Sequence, residues 1–396
     1  MKILSIEPTP SPNAMKLNMN EKLAPGVKYS FSAGDAPAGR IMPDYLRRLL
    51  AIEGVKGVYQ AADFISVERE NGADWRSILA AVREAVGSSE GEAGGGAVSR
   101  GAAAEEHSNG SGFGEATVFV QYFRGIPMQV RVRAGDEESR VALPEKFAAA
   151  AVTAGSASPN LIMERRLVEH GVRYGELPEI AAQVAAELDA AFDGARLEEL
   201  VKQAMAMEGD AASAEATVTK APDEIVPVDE LLAELDSPDW KKRYAVMDQL
   251  KPSPELLPVI KKALADVNFS VRRLAVVYLG DIKGPEAVEL LCRALKDSSP
   301  PVRRTAGDAL SDIGDPSAQP AMIDALRDPS KIVRWRAARF LYDCGDEAAL
   351  DALRAASDDP EFEVALQARM AVERIASGEE AAGTVWQQMA ARRRDG

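Results

Sequence analysis

Cysteine is nearly absent: Cys292 and Cys344 are the only two in 396 residues, too few for a disulfide framework, and no C-x-x-C pair exists to hold a metal. Histidine is equally scarce. His107 and His170 are the only imidazoles, too few for a histidine-rich metal cluster, and the sequence offers no triad around either. No G-x-x-x-x-G-K-[ST] loop occurs, and the glycines of GEAGGG follow no strand that could aim them at a phosphate. An apolar run of about 18 residues, the length a membrane helix needs, is also missing. Basic charge is in deficit, with 47 Lys and Arg against 62 Asp and Glu and a net charge of -15, which disfavours general affinity for nucleic acid or anionic lipid. These absences point away from catalysis, cofactors and membranes and toward protein partners of unspecified identity and an unspecified oligomeric state. The opening MKILSIEPTP has neither an apolar core nor a small-residue cleavage site, so the expected location is the cytoplasm.

What is present is ordinary globular composition, 46% hydrophobic and 28% charged, over two to three times the usual domain length. Two stretches interrupt it. GSSEGEAGGGAVSRGAAAEEHSNGSGFG contains almost no large apolar side chain and reads as a flexible linker at 88 to 114. EGDAASAEATVTKAP is a second, weaker break, read as a linker at 208 to 222. The expected blocks are therefore 1 to 87, 115 to 207 and 223 to 396.

In the first block Ile3, Leu4 and Ile6 form a short strand that the prolines at 8, 10 and 12 must end. Met15, Leu17 and Met19, then Val27, Tyr29 and Phe31, alternate as two further strands. The period then changes: Ile41, Tyr45, Leu46, Leu49 and Leu50 fall on one face of a helix expected over 38 to 52. Val55, Val58, Tyr59, Phe64, Ile65 and Val67 flank Ala61 and Ala62 as a hairpin, and Asp74 caps a helix carrying Trp75, Ile78, Leu79 and Val82. The run IEPTPSPNAMKLNMN with IEGVKGVYQAADFISVERENGADW resembles the amino-terminal domain of Nfu/NifU iron–sulfur scaffolds. That resemblance implies the α+β fold and a shared kind of partner. It supplies no cluster ligand, since the family's C-x-x-C lies in a separate domain lacking here. Glu7, Asn13 and Asp63 are expected as turn and cap groups rather than iron ligands.

The middle block opens with the strand TVFVQYF, turns at Arg124 and Gly125, and continues as IPMQVRVRA, a hairpin. Alanine-rich helices should follow in PEKFAAAAVTAG and PEIAAQVAAELDAAF. His170, just before Gly171 in VEHGVRYG, suits a helix end.

From Asp239 onward the chain repeats. Val271, Val302, Val333 and Val364 recur with one step, as do Leu279, Leu310 and Leu341, and Ala275, Ala306, Ala337 and Ala368, with Ala245 marking a shorter first unit. Each unit reads as two helices and a Gly/Pro/Asp turn. The pattern resembles HEAT-like repeats related to those of phycobilisome lyases, which implies an α-solenoid that binds another macromolecule along one face. Arg272, Arg303 and Arg334, backed by Arg273 and Arg304, form a ladder that could contact a partner. Because Asp281, Asp312 and Asp343 recur in step with it, the simpler reading is ion pairing between repeats. Trp240 and Trp335 are expected to pack rather than to anchor a partner.

The order of blocks, Nfu-like domain, a middle domain beginning TVFVQYFRGIPMQVRVRA, and HEAT-like repeats, resembles the conserved virulence factor C family. The implied fold is multidomain α+β plus an all-α solenoid. The implied role is a non-enzymatic adaptor, regulatory or accessory to expression of virulence traits. An iron–sulfur assembly accessory acting without its own cluster ligands, and a nucleic-acid-binding repeat protein, are the alternatives.

Overall fold

A computed structural model describes residues 1–9, 11–24, 26–33, 42–70, 72–86, 113–158, 160–207 and 226–378. The linker expected at 208 to 222 lies outside the described residues, as does that at 88 to 114 apart from its last two residues, and with it His107.

The first sheet contains β1 (Ile3–Pro8), β2 (Ala14–Met19), β3 (Lys28–Ser32), β4 (Val55–Ala61) and β5 (Phe64–Arg69), with α1 (Asp44–Leu50) and α2 (Trp75–Val86). Its strands run antiparallel in the order β1-β2-β5-β4-β3. The alternation decides which face is buried: Met15, Leu17, Met19, Ile65 and Val67 point inward, where Leu46, Leu49, Trp75, Ile78 and Val82 meet them. The helix expected from 38 begins at Asp44, after Pro43, and residues 34 to 41, with Ile41, are not described. Gly54 sits at φ +82°, where a Cβ would lie 2.7 Å from that of Ala73, so the position admits glycine alone without strain.

The middle domain holds β6 (Glu115–Phe123), β7 (Ile126–Ala134), β8 (Glu137–Ala142), α3 (Glu145–Gly155), β9 (Arg165–Tyr174), α4 (Leu177–Ala191) and α5 (Gly194–Ala206), its sheet ordered β8-β7-β6-β9. Two strands, β8 and β9, go beyond the expected hairpin. The reading of His170 at a helix end is overturned, because the residue lies in β9. A register irregularity opposite Thr117 to Phe119, with Gly171 at φ +84°, breaks the alternation that would have marked the strand.

Ten α-helices follow among the described residues: α6 (Val228–Glu234), α7 (Trp240–Gln249), α8 (Leu257–Leu264), α9 (Phe269–Ile282), α10 (Pro285–Ala294), α11 (Pro300–Ile313), α12 (Gln319–Ala325), α13 (Lys331–Cys344), α14 (Leu350–Ala356) and α15 (Phe362–Ala376). The helix starts are written locally, since Asp239 and Asn268 accept the first free backbone N–H groups of α7 and α9. Every valine, leucine and alanine of the 31-residue pattern is buried. Small residues lie where helices approach: a Cβ on Gly280 of α9 would come within 3.1 Å of Ala309 in α11.

Two compact units result, each a sheet domain merged with repeats. In the first, α15 of the last repeat lies on the amino-terminal domain: Leu366 enters that domain's apolar cluster, with Phe362 and Met370 packed against it. Arg69 donates to Glu363 at 2.6 Å, and the Arg76 guanidinium stacks 4.8 Å from the Phe362 ring. Phe113, counted with the linker from sequence, is buried against Trp335. In the second unit α4 packs on α7, with Arg196 paired to Asp248 at 2.9 Å and Lys241 to Asp189 at 2.5 Å.

Leu366→Ala should therefore cost about 2–5 kcal/mol in urea unfolding of the full chain. Hydrogen exchange should quicken in α2 as well as α15. Faster exchange confined to α15 would show that the two do not share a core.

Candidate functional site

The arginine ladder is built at the start of each repeat's first helix. Arg243, Arg272 and Arg334 fork onto both carboxylate oxygens of Asp266, Asp297 and Asp359, at 2.6 to 3.0 Å. Each also donates through Nη1 to a carbonyl of the loop before its own helix, Ser237, Asp266 and Asp328 respectively. Arg303 makes the same bond to the Asp297 carbonyl at 2.8 Å. The aspartates work twice, because Asp266, Asp297, Asp328 and Asp359 accept from the backbone N–H two residues on, shaping the loop that starts the next first helix. One arginine thus ties the loop before its own helix to the loop before the next.

This geometry changes the standing of Arg272, Arg303 and Arg334. Their guanidiniums are mostly buried and engaged within the chain, and they do not form an open basic stripe. The partners also differ from those the sequence pointed to. Asp343 pairs with Arg339 on its own helix, whereas the ladder uses Asp266, Asp297 and Asp359, spaced by one and then two steps of 31, a spacing that was there to be read.

Arg273 and Arg304 turn instead toward the middle domain. Arg273 of α9 and Arg173 of β9 meet on Oε2 of Glu187 in α4, at 3.1 and 3.0 Å. Oε1 of Glu187 accepts from Gln183 at 2.9 Å and from the Ser270 hydroxyl at 3.1 Å. Burial works to raise the Glu187 carboxyl, but Arg273 and Arg173 outweigh it and hold it below the usual carboxylate range. Arg304 stacks over the Tyr174 ring at 4.8 Å and pairs with Asp308 at 3.1 Å. Beside this cluster the Tyr122 hydroxyl lies 2.8 Å from His170 Nε2, and burial, then Arg173, lowers the imidazole below its ordinary value. Of these residues only His170, Arg273 and Arg304 stood out in the sequence. Glu187 was hidden in an alanine-rich helix.

The amino-terminal motif makes contacts within its own domain. Asn13 Oδ1 accepts from Arg69 Nε at 3.1 Å, and the Pro12 carbonyl accepts from the Trp75 indole at 3.0 Å. Glu7 is paired with Lys16 at 2.9 Å, and Asp63 is exposed in the turn between β4 and β5. Cys292 and Cys344 are each half-buried rather than in the core. Trp335 is buried, as expected, and Trp240 is half-buried with its ring edge-on to Tyr244. No described helix is long and apolar enough to cross a membrane.

Fold and site define a HEAT-repeat protein that carries an amino-terminal domain of Nfu/NifU type. Family matches follow the same order: "Scaffold protein Nfu/NifU N terminal" over residues 3–89, "Virulence factor" over 121–201, and "HEAT repeats" over 228–311 and 289–373. The chain belongs to the conserved virulence factor C family. It is 42% identical to conserved virulence factor C of Staphylococcus aureus (strain bovine RF122 / ET3-1), covering 99% of this chain and 100% of that one. Protein YpgR of Bacillus subtilis is 52% identical over 100% of both chains. A crystal structure of protein SAV1430 from Staphylococcus aureus is 34% identical, covering 22% of this chain and 98% of that one at a TM-score of 0.20. The family name and the HEAT repeats suggest an accessory or interaction role.

The ladder carries a pH signature. Burial alone would raise Asp297, but hydrogen bonds from Arg272 and from the Ser299 N–H outweigh it and keep the folded carboxyl below its ordinary value. Its stabilisation is complete above the unfolded pKa of about 3.9 and is lost as pH falls through the lower folded value. Asp297→Asn, which leaves Arg272 without a carboxylate, should cost about 3 kcal/mol at neutral pH. It should also flatten the acid limb of a urea-midpoint profile. An unchanged profile would mean that the pair contributes nothing.

Proposed function

We propose that the protein is a non-enzymatic adaptor, cytoplasmic, acting through protein contacts of its repeats in a regulatory or accessory role in the expression of virulence traits. The observation that carries this reading is the division of labour among charged side chains. The ladder arginines are engaged inside the repeats, while the second helices leave charges of both signs exposed: Glu289 and Arg293 on α10, Asp351 and Arg354 on α14. A surface of mixed sign suits a folded protein partner better than a phosphate backbone, which needs several unengaged cations in register.

A second reading rests on the match of residues 3–89 to the Nfu/NifU amino-terminal family, and makes the chain an accessory of iron–sulfur assembly that carries no cluster itself. The two separate by where a partner touches. Photo-crosslinkers placed in the full chain at Glu289, Arg293 or Asp351 should trap one recurring protein in cells. Those at the exposed Lys22 or Lys56 of the first domain should not. Crosslinks confined to Lys22 and Lys56 would favour the second reading, and turnover by the purified protein would defeat the adaptor.

A further inference from the structure

The cluster around Glu187 has more donors than its one carboxylate can satisfy. Glu187 is 5% exposed and already accepts four hydrogen bonds, two of them from guanidiniums on the same oxygen. Two positive charges therefore share one negative charge in a site closed to most solvent, and Arg304, matched to Asp308, does not redress the balance. Burial, followed by repulsion from Arg273, pulls the Arg173 guanidinium down to about 10, which marks a cation short of anionic company.

Two donors beside it have no partner. Arg273 is 8% exposed, and its Nε–H is buried without a hydrogen bond among the described residues. Tyr244 is 5% exposed and sits electrostatically close to Glu187, Arg273 and Arg173, yet its hydroxyl makes no hydrogen bond among the described residues either. A buried donor left unsatisfied costs about 1–3 kcal/mol, so the Arg273 Nε–H beside an uncompensated guanidinium, with the Tyr244 hydroxyl free to donate nearby, indicates an acceptor that is not part of the chain. Solvent reaches the cluster from the β9 side, where the Arg173 side chain is 18% exposed.

We propose that this cluster is a binding site for a small oxyanion, a phosphate or carboxylate group that accepts hydrogen bonds from Arg273 Nε, the Tyr244 hydroxyl and Arg173. Such a group supplies the missing negative charge and planar or tetrahedral oxygens for the fork of guanidinium donors, the geometry arginine favours for both chemistries. Because the site joins β9 and α4 to α7 and α9, an occupant also ties the middle domain to the first repeats and stabilises the fold by mass action.

The test is calorimetric titration of the full chain with inorganic phosphate and, separately, with acetate, ionic strength held constant with chloride. One equivalent should bind, and the midpoint of thermal unfolding should rise with it. Phosphate binding without acetate binding identifies a phosphate site, and the reverse a carboxylate site. Tyr244→Phe sacrifices no hydrogen bond of the chain and should fold normally, yet should weaken binding about three- to tenfold, the worth of one hydrogen bond. Arg173→Gln, checked by circular dichroism, should weaken it further, and Lys202→Gln, at an exposed position of α5, should not alter it. Failure of both probes to bind, or equal binding by Tyr244→Phe and the unsubstituted chain, overturns the proposal.

Discussion

The arginine–aspartate staple sets the step of the repeats. A helical hairpin buries its apolar stripe only against its neighbours, and apolar contact alone does not dictate how far one hairpin slides along the next. A guanidinium fork has a fixed width and direction, so Arg272 on Asp297 and Arg334 on Asp359 allow few alternatives. Since each aspartate also shapes the loop that opens the next helix, the start of one repeat and the grip of the previous one are written in a single side chain.

Repeats that need neighbours leave a problem at their first and last members, whose outer faces would meet water. Here the sheet domains take that place. Leu366, Phe362 and Met370 of α15 complete the core of the amino-terminal domain, and α7 packs on α4 of the middle domain. The mode of contact differs between the two. The amino-terminal domain offers apolar surface and a buried ion pair, Arg69 with Glu363. The middle domain offers a charged cluster around Glu187. An apolar contact of the first kind offers no place for a particular ion, whereas a charged one responds to an ion that completes it.

Legibility of the fold tracked periodicity. Val271, Leu279 and Ala275 repeat because each unit solves the same packing problem, and all of them are buried with their counterparts. The first sheet was equally readable from Met15, Leu17 and Met19, whose strand has one wet face and one dry. β9 was not, because its irregularity at Gly171 shifts the register by a residue, and a two-residue period cannot survive such a shift. Glu187 escaped for another reason. Its partners, Arg173, Ser270 and Arg273, stand up to 86 residues away in sequence, and a carboxylate amid alanines looks like any solvated helix position until the fold brings them in. The ladder falls between. Its arginines were plain in the sequence, but the carboxylates that engage them lie in loops, where aspartate is common and a step of 31 passes for ordinary turn chemistry.

Charge distribution joins these points. In a chain of net charge -15, arginine is used inside: Arg69, Arg243, Arg273, Arg303, Arg339 and Arg374 are each at most 8% exposed. Guanidinium tolerates this because its weak hydration and five donors let it satisfy carbonyls and carboxylates that lysine would serve poorly. The excess of acid is thereby displaced outward, which opposes approach to polyanions and leaves solubility intact. Within such a molecule a cluster where guanidiniums outnumber carboxylates stands against the overall sign. An anion that enters it crosses an unfavourable outer field to reach a favourable local one, so what the cluster accepts has to be small enough to be held by contact rather than drawn in by long-range attraction.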